Sequence, residues 1–229
     1  MRAEPAVGTI RCEDLTEREL RSQGFQAVAG VDEAGRGSLF GPVVAAAVVL
    51  SPLAPLDGLN DSKQLDPQTR VRLAGLIRER AAAWSVAEVD AATIDRINIY
   101  QASRLAMKRA VEQLRPPADF VLADAVFLDI ALPQRALIKG DARCHAIAAA
   151  SILAKVDRDL LMERYDSVYP GYGLSQHKGY FTPEHAGALR RLGPTPLHRF
   201  SFEPVRACAP SRRSNLLQPS LFPEDENGS

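Results

Sequence analysis

Residues 27–50 read AVAGVDEAGRGSLFGPVVAAAVVL. The first five of them are apolar or glycine and predict a buried strand that ends at Asp32-Glu33. Residues 43–50 are apolar throughout, which predicts a second strand with both of its faces covered. Because two strands precede the first long helix, this stretch predicts an α/β fold whose sheet contains some antiparallel pairing.

The remaining chain alternates between helical and strand patterns. Residues 1–25 are polar and form a lead-in that is weakly helical from Glu13 to Leu20, and residues 207–229 predict a disordered tail rich in Pro, Ser and Asn. Residues 26–206 form the main domain. Within it we predict strands at 84–89, 120–123 and 136–138, and helices at 67–83 (with Asp66 as N-cap), 99–114, 142–168 and 183–192.

Composition excludes several classes of protein. The chain has 28 basic and 28 acidic residues, so any contact with nucleic acid must come from a local basic patch. The three cysteines fit neither a disulfide framework nor a zinc site and indicate a reducing compartment. The sequence contains no apolar run of about 18 residues and no secretory leader, so we expect a cytoplasmic protein without a membrane span. Nothing in it indicates an oligomer, and we expect a monomer.

Three predicted strands lead into acidic residues. Asp32-Glu33 follow the first strand, Asp124 follows the strand at 120–123, and Asp141 follows the strand at 136–138. Taken singly, these acids are compatible with turns or, for Asp141, with a helix N-cap. Together they predict carboxylates at one sheet edge, which repel one another unless a cation such as Mg²⁺ or Mn²⁺ lies between them.

Basic and glycine-rich loops offer a second set of candidates. Gly35-Arg36-Gly37 is compatible with a tight turn or with a backbone that approaches a ligand closely, with Arg36 on a phosphate. Lys63 is a phosphate contact or a solvated loop lysine. The loop with Lys178 and Tyr180 is a surface loop or a stacking site for a sugar or base.

Several of these motifs, in this order, resemble the bacterial ribonuclease HII family. The resemblance covers roughly residues 25–206, and the related ribonuclease HIII family fits less well. The motifs that carry it are, in order, residues 30–37 (GVDEAGRG), 39–42 (LFGP), 60–63 (NDSK), the strand ending at Asp124, 139–141 (KGD), 149–156 (AASILAKV), 158–159 (RD), 172–173 (YG), 176–180 (QHKGY) and 198–202 (HRFSF).

The resemblance implies a ribonuclease H-like mixed sheet flanked by helices, with a helical C-terminal region. It implies a metal-dependent endonuclease that cuts RNA paired with DNA and incises 5′ to single ribonucleotides in duplex DNA, leaving 3′-hydroxyl and 5′-phosphate ends. The implied holders of Mn²⁺ or Mg²⁺, two ions during catalysis, are Asp32, Glu33, Asp124 and Asp141. The implied nucleic-acid contacts are Gly35, Arg36 and Gly37 at the 2′-hydroxyl, Tyr180 at the ribo–deoxyribo junction, and Lys63 and Lys178 at phosphates.

Two positions depart from the family pattern. Ser38 stands where proline is frequent, and we expect it to alter only the stiffness of the loop. Ala125 follows Asp124 where glycine is commoner, and we expect an effect on the local geometry of that acid.

The tail contains a segment, Gln218 to Phe222, that resembles the short peptides by which bacterial repair proteins bind the sliding clamp. Gln218 supplies a polar contact, and Leu221 with Phe222 supplies an apolar anchor that could order on a partner's groove. A chance Leu-Phe pair is the alternative.

For the main domain, a non-catalytic binder of hybrid duplexes is the competing function class, but clustered carboxylates would repel such a ligand unless a metal bridged them.

Overall fold

One mixed sheet forms the centre of the computed structural model, which describes residues 12–60 and 62–209. Its strands, in chain order, are β1 (Val28–Ala34), β2 (Val43–Val49), β3 (Ala83–Val89), β4 (Phe120–Asp124) and β5 (Gln134–Leu137). Their order across the sheet is β3-β2-β1-β4-β5. Strands β1, β2 and β3 pair in antiparallel fashion, whereas β4 lies parallel to both β1 and β5. The predicted mixture of pairings is therefore confirmed.

Helices cover both faces of the sheet. The long helix α5 packs with α2 on one face, and α3 with α4 packs on the other, while α6 to α8 gather beside the end of α5. None of the helices within the described residues combines the length and hydropathy needed to cross a membrane. The helices are α1 (Leu15–Ser22), α2 (Pro67–Arg80), α3 (Ala91–Ile97), α4 (Ile99–Gln113), α5 (His145–Val168), α6 (Leu174–His177), α7 (Pro183–Leu192) and α8 (Glu203–Cys208).

Strand β2 and helices α2 and α7 match their predictions closely. All seven residues of β2 are buried, as an apolar run covered on both faces requires. Asp66 accepts a hydrogen bond from the Thr69 amide, so the predicted N-cap of α2 is confirmed. Helix α7 has the predicted bounds, and its N-cap Thr182 accepts from the His185 amide.

Other predictions were wrong in detail. Strand β1 extends to Ala34, so Asp32 and Glu33 lie within it and not in a turn after it. Asp141 is not a helix N-cap: it lies in a 3₁₀ turn at Gly140–Ala142, and α5 begins at His145. Helix α3 had no counterpart in the prediction; its N-cap Asp90 accepts from the Thr93 amide.

Helix α5 lies unusually close to β1 because Gly30 has no side chain. A Cβ atom built on Gly30 would lie 2.1 Å from the backbone carbon of Ala146, at the start of α5. Helix α1, in the N-terminal lead-in, secures the same end of α5, since the buried Glu17 carboxylate accepts a 2.7 Å hydrogen bond from the Ala146 amide. The turn that carries Asp141 is therefore joined to a closely seated helix.

Candidate active site

The register of β1 and β4 places two of the predicted acids side by side. Val31 pairs with Ala123, so Asp32 and Asp124 follow at adjacent positions on parallel strands. The Asp124 Oδ1 atom accepts a 2.8 Å hydrogen bond from the Gly140 amide, which ties β4 to the turn that carries Asp141. One sheet edge thus brings the carboxylates into the same region.

A cleft of about 510 Å³ opens at this edge, and a second hollow of about 830 Å³ adjoins it. Lys63 and Asp124 line both spaces, and Asp141 lines the second. The predicted residues that line the first are Asp32, Glu33, Gly35, Arg36, Gly37, Lys63, Asp124 and Tyr180. Residues from four separate motifs therefore share one continuous recess.

Lys178 is the predicted contact that lines neither space. Its ammonium group forms a 2.7 Å ion pair with Glu163 on α5, and its backbone lies in the left-handed region at φ +51°. The side chain would have to leave Glu163 before it could contact a phosphate.

The acids at this edge are held in an unfavourable environment for negative charge. Burial raises the pKa of Asp32 well above its ordinary value, and the nearby charges of Glu33 and Asp124 raise it further. Burial also raises the pKa of Glu33, although Arg36 opposes the shift. The cleft therefore concentrates negative charge that a bound cation would stabilise.

Two exposed basic side chains form ion pairs with these carboxylates. Arg36 contacts Glu33 at 3.3 Å, and Lys63 contacts Asp141 at 3.5 Å. In each pair only the cation is exposed, with Arg36 at 46% and Lys63 at 78% against 10% for Glu33 and 9% for Asp141, and a long exposed side chain reorients at low cost. Both cations can therefore give up their carboxylate for a phosphate.

The donor set fits a hard divalent cation. As the side chains stand in residues 12–60 and 62–209, no three His, Cys, Asp or Glu residues are close enough together to enclose a metal ion. The donors at the sheet edge are nonetheless all carboxylate oxygens, the ligand type that Mg²⁺ and Mn²⁺ prefer. Burial is the main cause of the raised pKa values of Asp32 and Glu33, and a divalent cation bound between the carboxylates would favour their charged forms.

The glycine loop, residues 35–37, lies next to Tyr180. A Cβ atom on Gly37 would lie 3.9 Å from the Tyr180 ring. Gly35 has φ +94°, and a Cβ atom there would lie 2.0 Å from the Arg158 Nε atom. Glycine is thus required at position 35 both by the backbone conformation and by the side chain packed against it.

Comparison with known proteins identifies the family. A family model described as Ribonuclease HII matches residues 29–205. The chain belongs to the ribonuclease HII family. Ribonuclease HII of Solibacter usitatus (strain Ellin6076) is 68% identical over 207 residues, which cover 90% of this chain and 91% of that protein.

Solved structures agree with this membership. Ribonuclease H2 from Pyrococcus horikoshii OT3 has a TM-score of 0.68 at 27% identity, covering 80% of this chain and 97% of that one. Ribonuclease HII from Archaeoglobus fulgidus, solved as a complex with PCNA, has a TM-score of 0.65 at 25% identity, with coverages of 82% and 98%. The predicted ribonuclease H-like sheet is confirmed, and the protein is an endoribonuclease that acts on RNA–DNA hybrids.

Several polar residues inside the ribonuclease HII motifs had no assigned role before the structure was known. Ser151 forms a hydrogen bond with Asp32, and its hydroxyl also lies 3.0 Å from that of Ser62. Lys155 lines the cleft and donates two hydrogen bonds to Asp159. Ser151, Lys155 and Arg158 are spaced by four and three residues, which places them on one face of α5 and was visible in the sequence.

Both departures from the ribonuclease HII pattern have structural consequences. Ala125 has φ +54°, a conformation that costs an alanine about 1–2 kcal/mol and that glycine adopts freely. Its amide donates to the Leu137 carbonyl at 3.0 Å, so the local turn is kept despite this cost. Ser38 does more than alter loop stiffness, because its hydroxyl accepts a 2.7 Å hydrogen bond from the buried Arg158.

Three histidines pack behind Tyr180 in this ribonuclease HII. The His185 Nδ1–H group donates to the Tyr180 carbonyl at 2.9 Å, which leaves its Nε2 atom to accept from His198 at 3.2 Å. The His198 Nδ1 atom accepts in turn from the Thr195 amide. The His177 ring stacks on His185 at 4.4 Å between centroids. This pattern of donors is satisfied when His185 and His198 are neutral.

Stability should fall in mild acid because of His198. Burial, with a smaller contribution from the nearby His185, lowers the pKa of His198 to about 3. Between about pH 6.5 and 3 the unfolded chain binds a proton that the folded chain does not, so the free energy of unfolding decreases as pH falls. One such proton contributes up to about 1.4 kcal/mol per pH unit.

The measurement is urea denaturation of the wild type, His198→Asn and His145→Asn between pH 7.5 and 5. We expect His198→Asn to be less stable at pH 7.5, because the ring that packs 4.9 Å from Phe40 is lost, but to lose stability less steeply in acid. His145→Asn keeps the His198 ring and should retain a slope close to that of the wild type. Equal slopes for the wild type and His198→Asn would contradict the prediction.

Proposed function

We propose that this ribonuclease HII is a metal-dependent endonuclease that also incises duplex DNA on the 5′ side of single embedded ribonucleotides. The products would carry 3′-hydroxyl and 5′-phosphate ends, and the activity would serve the removal of ribonucleotides from DNA. One observation supports the proposal above the others: the acids, the glycine loop and Tyr180 line one continuous recess.

The carboxylates supply the catalytic half of the site. Asp32, Glu33, Asp124 and Asp141 would hold Mn²⁺ or Mg²⁺, and two such ions, when bound, can activate a water and stabilise the leaving oxygen of a phosphodiester. Ser151 and the Glu33 amide, which contacts Asp32 at 2.8 Å, fix the orientation of the Asp32 carboxylate. Gly140 does the same for Asp124.

The glycine loop and Tyr180 supply the recognition half. A 2′-hydroxyl both donates and accepts hydrogen bonds. Residues 35–37 offer it backbone N–H and C=O groups, and at Gly35 and Gly37 no Cβ atom blocks the approach. Tyr180 is half-buried beside Gly37, where its ring can stack on the sugar of the neighbouring deoxyribonucleotide. Arg36, Lys63 and Lys178 would position the backbone through phosphates without reading sequence.

The deciding experiment is cleavage of a labelled DNA duplex that carries one ribonucleotide, with and without Mg²⁺ or Mn²⁺. We expect metal-dependent incision 5′ to the ribonucleotide, while all-DNA and all-RNA duplexes stay intact. Cleavage of the all-DNA control would indicate a general nuclease. Tight binding without incision would favour a non-catalytic binder, and either result would overturn the proposal.

We also propose that the tail docks on the bacterial sliding clamp through Gln218, Leu221 and Phe222, which lie outside the described residues. The apolar pair and the polar residue upstream form a short anchor that can order in a partner's groove. The PCNA complex of the Archaeoglobus fulgidus relative supports a clamp as the kind of partner.

Replacing both Leu221 and Phe222 with alanine should weaken clamp binding at least about tenfold, because two buried apolar side chains contribute roughly 1.5–3 kcal/mol each. The measurement is the affinity of the full chain for the clamp of the same organism. A Leu216→Ala and Leu217→Ala variant in the same tail serves as the control, and unchanged affinity for the Leu221 and Phe222 variant would contradict the proposal.

The cysteines support action in a reducing compartment, and we infer that the protein acts in the cytoplasm. We also infer that it acts as a monomer. Cys12, Cys144 and Cys208 are all free thiols. Burial raises the pKa of Cys12 to about 12, which disfavours the reactive thiolate form.

A further inference from the structure

Arg158 is a buried cation held almost entirely by neutral oxygens. Its side chain is 1% exposed, and none of the ion pairs found within residues 12–60 and 62–209 includes it. It donates to the carbonyls of Lys178 at 2.9 Å, Phe40 at 3.2 Å and Pro42 at 3.3 Å. Burying a guanidinium is costly unless its donors are hydrogen-bonded, so these contacts favour a fixed arrangement of the three segments around it.

The same side chain touches both parts of the recognition half. The Arg158 guanidinium lies 5.4 Å from the centre of the Tyr180 ring, within range of a cation–π contact. It also occupies the space in which a Cβ of Gly35 would lie, 2.0 Å from the Nε atom. The glycine loop and Tyr180 therefore both pack against the same arginine.

Ser38 completes the connection. Its hydroxyl accepts from Arg158 at 2.7 Å and donates to the Phe40 carbonyl at 2.9 Å. Its backbone forms an antiparallel bridge with Tyr180, and the next amide, of Leu39, donates to the Gly179 carbonyl at 2.9 Å. A single buried serine thus joins the end of the glycine loop to the segment that carries Tyr180.

We propose that Arg158 and Ser38 are positioning residues that hold the glycine loop and Tyr180 at a fixed separation, and that this link sets the preference for an isolated ribonucleotide. The inference rests on the proposed function, in which the two elements read adjacent nucleotides. An isolated ribonucleotide offers one junction, so both elements must be in place together. A long hybrid offers the 2′-hydroxyl at every step and depends less on their separation.

The expected effect is a loss of selectivity. In Ser38→Ala, Arg158 loses one acceptor in a buried site, so the separation of the two elements becomes less well defined. We expect kcat/KM for a single-ribonucleotide duplex to fall about 5- to 10-fold more than kcat/KM for a long hybrid. We call kcat/KM on the single-ribonucleotide duplex divided by kcat/KM on the long hybrid the substrate ratio. Arg158→Lys, which cannot reach all of these oxygens at once, should lower this ratio at least as far as Ser38→Ala does.

The experiment measures kcat and KM on both substrates for the full-length chain and its variants. Ser85→Ala is the matched control, because Ser85 is also a buried serine whose hydroxyl donates to a backbone carbonyl, that of Ala110 on α4. It should leave the substrate ratio unchanged. The double variant Ser38→Ala with Arg158→Lys should lose less than the product of the single losses, because the two residues share one contact.

Tyr180→Ala separates failure of the link from failure of the proposed function. A lowered ratio in Tyr180→Ala together with an unchanged ratio in Ser38→Ala would overturn the link alone. An unchanged ratio in Tyr180→Ala would overturn the role of Tyr180 at the junction and the link with it, whereas no single-ribonucleotide incision by the wild type would overturn the proposed function. If Arg158→Lys does not fold, the Ser38→Ala ratio decides the question by itself, and equal losses on both substrates would count against the inference.

Discussion

Asp32→Asn should reduce cleavage of an RNA–DNA hybrid about a thousandfold or more while leaving the fold intact. Asp32 lies where β1, β4 and α5 meet, and in our proposal it is a charged metal ligand. The Lewis-acid contribution of a catalytic metal is worth several kcal/mol, and each 1.36 kcal/mol corresponds to a factor of ten in rate. An amide of the same shape keeps the packing but gives up the charge that binds the ion.

The stability of the variant separates a catalytic loss from a folding defect. Because burial raises the pKa of Asp32, an ionised Asp32 disfavours the folded state at neutral pH in the absence of metal. Asp32→Asn removes this penalty, so its melting temperature without metal should equal or exceed that of the wild type. Adding Mn²⁺ should then raise the melting temperature of the wild type more than that of the variant.

Binding of the duplex provides the third readout. Loss of a negative charge near the phosphates should leave affinity for a hybrid in metal-free buffer unchanged or slightly higher. Asp129→Asn makes the same chemical change at an exposed acid that pairs with Lys108, and it should match the wild type in all three assays. Full hybrid cleavage by Asp32→Asn would exclude Asp32 from the metal site.

Gly30→Ala should be the most destabilising of the glycine substitutions. The new Cβ atom would lie 2.1 to 2.4 Å from three backbone atoms of Ala146 and Ile147, and backbone cannot rotate away as a side chain can. Overpacking a core costs typically about 1–3 kcal/mol, and this overlap falls at or above the top of that range. We expect a loss of at least about 3 kcal/mol in the free energy of unfolding, measured by urea denaturation at pH 7.5.

Gly75→Ala is the matched control for this substitution. Gly75 lies inside α2, and a Cβ atom there meets nothing within 4 Å. Alanine is the better helix former, so this variant should gain about 0.5–1 kcal/mol. A Gly30→Ala protein as stable as the wild type would show that α5 does not seat on β1 as closely as the structure indicates.

The structure brings the predicted site residues together most directly where they are close in the sequence. Asp32-Glu33 and Gly35-Arg36-Gly37 belong to one strand and its turn, and the strand pattern placed them at a sheet edge. The tight contact of Gly35 with Arg158 was invisible, because 123 positions separate the two residues and no local pattern joins them. For the same reason Ser38 was expected to affect only the stiffness of its loop.

The sequence by itself determined the class of fold and the family. Apolar runs such as residues 43–49 must be covered on both faces, and several ordered motifs define ribonuclease HII. The tertiary structure alone decided which backbone carbonyl oxygens accept hydrogen bonds from which arginine side chains. Arg158 and Arg199 are charged residues that patterns assign to the surface, yet both are buried and donate to backbone carbonyls of the loop at residues 36–42. A long side chain can reach partners far along the chain, and only the folded backbone determines which carbonyls are left for it to bind.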